Sequence, residues 1–148
     1  MAKYKIGIWG QYGDPGTKIA DGQAVRTTII TQELEKRYGL EKICIANSNR
    51  WKKHPFRFLF RCVYMVANSD NILILPADNG FKAFVPILMF LNRFFHHKLY
   101  YIVIGGFLPE FLHKKPMYLK YVKRFEALFV QTDNLKRDLE ELGINNIY

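Results

Sequence analysis

Five short apolar runs recur along the chain, at residues 5–9, 42–46, 71–75, 99–104 and 127–130. They are apolar nearly throughout instead of alternating, the pattern of strands covered on both faces. Helical spacing fills the intervals. Val25 and Ile29 are four apart, as are Ile30, Leu34 and Tyr38, and Gly39 supplies a stop. A second helix is predicted over 55–67, with Pro55 suited to its first turn. A third is predicted over 81–95, where Pro86 either kinks the helix or delays its start. A fourth is expected to begin near Pro116. A fifth carries Leu135, Leu139 and Leu142 on one face, with Thr132 or Asp133 as cap and Gly143 as stop. This β-α-β-α order predicts an α/β fold, a parallel sheet with helices on both faces and right-handed crossovers. Residues 144–148 read as the opening of a sixth strand, so the expectation is one domain over 1–148, cut before a further part of the protein.

Composition narrows the class. The 148 residues carry 22 Lys plus Arg against 13 Asp plus Glu, a net charge of +9. At 49% hydrophobic and 24% charged, the chain is not disordered. Cys44 and Cys62 are too few for a disulfide scaffold and each sits in an apolar run, which predicts buried free thiols in a reducing compartment. No signal peptide or membrane-spanning run is visible, so an intracellular protein is expected. The positive charge favours an anionic partner: a membrane surface, a nucleic acid or a phosphorylated substrate.

Ligands of parallel sheets bind beyond the carboxyl ends of the strands, so the segments following each strand hold the candidate chemistry. After the first come Gly10, Gly13 and Gly16, then Asp21, Gly22 and Gln23 opening a helix. Such a loop either cradles a phosphate with main-chain N–H groups or is a surface loop punctuated by Gly and Pro. The glycines are three apart, unlike a dinucleotide fingerprint, and Gly16-Thr17-Lys18 is not a P-loop. After the third strand, Asp78 and Asn79 serve either a polar ligand or the cap of the next helix. After the fourth, Gly105 and Gly106 suit a close approach by a ligand or another backbone. Glu110 there is either a helix-start residue or a general base. The four histidines show no ligand spacing and no serine or cysteine sits on a nucleophile elbow, so neither a metal site nor a covalent nucleophile is predicted.

The basic residues cluster. Arg57 and Arg61 are four apart on an apolar helix, just after Arg50, Trp51, Lys52 and Lys53. Arg93, His96, His97 and Lys98 follow two phenylalanines. In a third cluster Lys120, Lys123 and Arg124 are expected to share a helix face. Cations beside aromatic residues suit the headgroup region of an anionic bilayer; a solvated helix face is the alternative. Nucleic acid is not expected, because no binding signature accompanies the charge.

Four segments in order carry a resemblance: residues 21–27, 77–80, 104–109 and 130–132 followed by 139–146. Together they resemble the amino-terminal half of a bacterial GT-B glycosyltransferase, similar to family 4-like enzymes of polysaccharide biosynthesis. The resemblance implies a Rossmann-like domain and a transferase moving a hexosyl group from a nucleotide sugar to a lipid-linked or growing polysaccharide acceptor, with anomeric retention. It implies that Gly22, flanked by Asp21 and Gln23, lies against the donor diphosphate. Asn79, Gly105, Gly106 and Thr132 would line the acceptor side of the cleft. Many relatives have a histidine where Gly105-Gly106 stands, so no catalytic histidine carries over. No cofactor is implied beyond the donor substrate. The donor-binding domain is absent from these residues, so they are expected to be inactive alone and to need that domain or a partner chain. Arg57, Arg61, Lys120, Lys123 and Arg124 would face the inner leaflet of the membrane, making the protein cytoplasmic and peripheral. Two other readings compete: a non-catalytic membrane-docking subunit of a split glycosyltransferase, and a nucleotide-binding regulatory module.

Overall fold

The computed structural model describes residues 2–14 and 22–148. It is an α/β fold of the Rossmann-like type, with a parallel sheet flanked by helices. The strands are β1 (Tyr4–Gly10), β2 (Ile43–Asn47), β3 (Ser69–Leu75), β4 (Lys98–Ile102) and β5 (Ala127–Phe129), in the spatial order β2-β1-β3-β4-β5. Each neighbouring pair is parallel; Ile8 of β1 faces Ile45 of β2 on one side and Leu73 of β3 on the other. Ile147 makes an isolated parallel bridge to Leu128, with Leu128 N donating to the Asn146 carbonyl at 2.9 Å, so residues 144–148 add no sixth strand to the described sheet.

The helices are α1 (Gly22–Tyr38), α2 (Pro55–Asn68), α3 (Asp78–Phe95), α4 (Phe107–Lys114), α5 (Leu119–Val122) and α6 (Asp133–Glu141). From β1 to β2 the chain moves one way across the sheet; every later crossover moves the other way. Right-handed crossovers then put α1 on one face and the later helices on the other. Core composition agrees. Ile8, Ile43, Leu73 and Leu75 pack with Ile30 and Leu34 of α1. Their neighbours along the strands, Trp9, Cys44, Ile72 and Ile74, join the larger core with Met65, Phe81, Phe84, Leu108 and Leu139. Adjacent strand residues point to opposite faces, and both faces are apolar, hence the unbroken apolar runs. Both cysteines are buried and free.

Three further expectations need correction. Residues 107–114 form a helix that the hydrophobic spacing does not predict, with Pro109 in its first turn, where a missing N–H does no harm. The helix expected from Pro116 is instead a 3-10 turn (Pro116–Tyr118) and then the single turn of α5. Lys123 and Arg124 lie beyond it, so with Lys120 they do not share one helix face. Lastly, α3 starts before Phe81 and contains Pro86 in its interior, so the proline does not delay the helix.

Candidate functional site

Reversal of strand progression at β1 opens a crevice between the carboxyl ends of β1 and β3, the place where open parallel sheets bind ligands. A cavity of about 350 Å³ occupies it. Gly10 and Gln11 contribute from the end of β1, Gln23 from α1, Trp51 and Lys52 from the 3-10 turn before α2, and Asn79 from α3.

Each wall has a local cause. A Cβ on Gly10 would stand 2.6 Å from Thr27 Cγ2, so the glycine lets α1 close onto β1. The Gln23 amide Nε2 donates to the Leu75 carbonyl at 2.9 Å and ties α1 to the end of β3. Beyond β2, Ser48 N donates to the Gly10 carbonyl at 2.8 Å. Asn47 Oδ1 accepts from the main-chain N–H of Tyr12 (3.2 Å) and of Asn49 (2.8 Å), closing the two loops on each other. The Tyr12 hydroxyl meets Thr31 Oγ1 at 2.7 Å; burial pushes its pKa up to about 12, against the Thr31 hydrogen bond that draws it down.

Neither Asp78 nor Asn79 caps α3. Its N-cap is Ala77, which offers no side-chain acceptor, and Asp78 pairs with Lys82 at 3.0 Å. An 18-residue helix therefore opens on the cavity without a side-chain cap, with the positive end of its dipole toward the crevice. Trp9 also lines this cavity; it is 2% exposed and its indole Nε1 has no hydrogen-bond partner. A buried indole N–H usually finds an acceptor; this one is unpaired and shielded from solvent.

The predicted residues are only partly gathered here. Gln23 and Asn79 line the cavity. Gly22 begins α1 in open space, with nothing within 4 Å of where a Cβ would stand, and is not part of the lining. Asp21 lies outside the described residues. Gly105 and Gly106 follow β4 and also border open space; Gly105 has φ +76°, a conformation that favours glycine. Thr132 is the cap of α6, its Oγ1 accepting from Leu135 N at 3.3 Å, so its hydroxyl is already engaged. Gly105, Gly106 and Thr132 sit at the ends of β4 and β5, away from the crevice lining. Glu110 pairs with Lys114 on α4, and this lowers its pKa. Arg57 and Arg61 line a different cavity, along α2. Sequence reasoning missed Trp9, Trp51 and Lys52 as parts of this site. Trp9 reads as core within an apolar run, and only the strand order singles out the ends of β1 and β3.

Among the described residues, no three His, Cys, Asp or Glu side chains gather to hold a metal ion. No described helix is long and apolar enough to cross a membrane. Comparison with protein-family models, with curated proteins and with solved structures finds no match for this chain.

Proposed function

We propose that this chain is the acceptor-side domain of a glycosyltransferase that moves a hexosyl group from a nucleotide sugar to a lipid-linked or polysaccharide acceptor. The observation that carries the reading is the crevice between β1 and β3, onto which the uncapped α3 N-terminus opens and which Gln23, Lys52 and Asn79 line. In transfer from a nucleotide sugar, the leaving diphosphate gains negative charge. Helix N-termini and fixed donors stabilise such charge without reorganising. Here α3 opens on the crevice, α1 begins at exposed Gly22, and Lys52 adds a full positive charge at the rim. In this reading Gln23 lies toward the donor diphosphate and Asn79 toward the acceptor, both lining the crevice. The donor needs a second domain to hold it, on the same chain or on a partner.

The test is sugar transfer by membranes containing the protein, supplied with labelled UDP-, GDP- and dTDP-sugars and extracted lipid acceptors. Gly22→Trp should lower turnover about 100-fold by displacing the donor, and Asn79→Ala should lower it as well. Unchanged turnover in Gly22→Trp would remove the first loop from the mechanism. Transfer from none of the donors would remove the transferase reading.

A second reading, a non-catalytic membrane-docking subunit, is favoured by the outward faces of α2 and α3. Phe56 and Phe60 are 76% and 75% exposed, and Phe90 and Phe94 are 64% and 66% exposed. Arg57 and Arg61 share α2 with the first pair. Aromatic and cationic side chains on one surface suit a peripheral position on an anionic leaflet at the cytoplasmic side.

A further inference from the structure

β2 is an outermost strand of the sheet, and a cavity of about 600 Å³ is lined by its Ile45 and Asn47 together with residues of α2 and of the 3-10 turn before it. Ser48 N donates inward, to the Gly10 carbonyl of β1. Main-chain groups alternate in direction along a strand, so those of Asn47 and Ile45 turn outward. The 2.8 Å bond from Arg61 Nε to the Ile45 carbonyl reaches β2 from that outer side and agrees. The N–H groups of Ile45 and Asn47 therefore lie along an open edge, with no main-chain partner among the described residues. An open edge is either guarded or used to take up a further strand. Arg61 covers one carbonyl of this edge and leaves the two N–H groups bare.

The two faces of β2 decide what a strand beside it would carry. Ile43 and Ile45 pack in the core on the α1 side, whereas Cys44 and Ala46 pack in the core on the α2 side. Side chains of an added strand alternate in the same way. Those beside Ile43 and Ile45 meet apolar surface. Those beside Cys44 and Ala46 meet Arg57 and Arg61, which line the cavity from α2. This charge is uncompensated: Asp14 pairs with Arg50, but no described carboxylate pairs with Arg57 or Arg61. Guanidinium forks match carboxylates two oxygens at a time. We propose that the β2 edge is a docking site for an extended acidic segment of another protein, which joins the sheet as an outer strand alternating acidic and apolar residues. The N–H groups of Ile45 and Asn47 donate to its carbonyls, and Arg57 and Arg61 pair with its carboxylates. A second copy of this chain does not fit, because pairing two β2 edges brings the arginines of both copies together on one face. The proposal is independent of the transferase reading and calls on neither donor nor acceptor sugar.

The test titrates the intact chain with the capped peptide Glu-Val-Glu-Val-Glu-Val-Glu, followed by calorimetry and by hydrogen exchange at single amides. The peptide should bind at least about tenfold more tightly than its counterpart with lysine in place of every glutamate. On binding, exchange at the Ile45 and Asn47 amides should slow, because both become paired. Two further peptides carry N-methyl groups, one on the valines and one on the glutamates. Only one of these sets of N–H groups faces β2, so one methylated peptide should lose at least about tenfold in affinity and the other little. Arg57→Gln should weaken the parent peptide about tenfold, the loss of one charge-assisted contact. Circular dichroism checks that this exposed substitution leaves the fold intact. Both methylated peptides binding as tightly as the parent would reduce the effect to charge alone and overturn the proposal. So would Arg57-dependent binding to anionic vesicles with no protection of Ile45 or Asn47 by the peptide, which would give the arginines to a lipid surface. A dimer in sedimentation whose Ile45 amide is protected without peptide would give the edge to a second copy and overturn it likewise.

Discussion

The Tyr118 hydroxyl donates to the main-chain carbonyl of Lys82 across 3.1 Å. Lys82 stands four residues before Pro86 inside α3, so its carbonyl is the one that the proline, lacking an N–H, leaves without a helical donor. A residue from the turn before α5 thus repairs a defect in α3. Tyr118→Phe should destabilise the fold by about 1 kcal/mol, the usual worth of such a bond. With Pro86→Ala the N–H returns, and the same Tyr118→Phe change should then lose most of its effect. Urea denaturation of the four proteins in this cycle measures the coupling, and equal losses in both backgrounds would refute the repair.

Two glycines of the first loop region make opposite demands. Gly10→Ala forces a Cβ to 2.6 Å from Thr27 Cγ2 and should cost about 1–3 kcal/mol as α1 is pushed off the sheet. Gly22→Ala meets nothing within 4 Å and should leave thermal stability unchanged or slightly raised. A drop in melting temperature for the second variant would show that Gly22 is structural, contrary to its proposed place at the donor.

Alkaline pH should loosen the protein. Burial pushes the Cys62 thiol from its ordinary 9.0 up to about 12 and the Tyr12 phenol from 10.0 up to about 12. Both groups are neutral in the folded state below those values, while the unfolded chain releases their protons earlier. Their contribution to stability is therefore full below pH 9 and is lost as pH rises from 9.0 through about 12. Denaturation midpoints measured from pH 8 upward should fall across this window. Over the same range Cys62 should alkylate only as fast as the chain unfolds.

Loss of the α6 cap has a local signature. Thr132→Ala removes the acceptor of Leu135 N and should cost about 1 kcal/mol. Hydrogen exchange should quicken first in α6, while Thr132→Ser keeps the cap and should exchange at nearly the original rate.

Vesicle flotation tests the outward aromatic surface. Phe56→Ser with Phe60→Ser should reduce binding to anionic vesicles even at low salt, because apolar insertion is lost. Arg57→Gln should reduce it mainly at low salt, where charge attraction is unscreened. Binding indifferent to both changes would show that this surface does not meet a membrane.

Strands were the readable part of the sequence, because residues covered on two faces have to be apolar on both. The run Ile72, Leu73, Ile74 and Leu75 alternates between the two cores, and its composition alone marks it as buried. Helices with proline were less legible. Pro109 and Pro86 look alike as breakers, yet one falls in a tolerant first turn and the other is rescued by a distant tyrosine. The site was legible only in part, since Gln23 and Asn79 follow strands and invite attention, whereas Trp9 becomes informative only once β1 is known to lie between β2 and β3. Pairing of distant strands depends on long-range contacts that no local window contains.

That central position of β1 also governs how the chain is made. Its flanking strands end at Asn47 and Leu75, so a growing polypeptide cannot satisfy both edges of its first strand until the third has left the ribosome. Until then one edge of an apolar ribbon stays open to wrong partners. Burial of both edges of β1 therefore waits on a strand more than sixty residues downstream, with β2 and the bare phenylalanines of α2 in between.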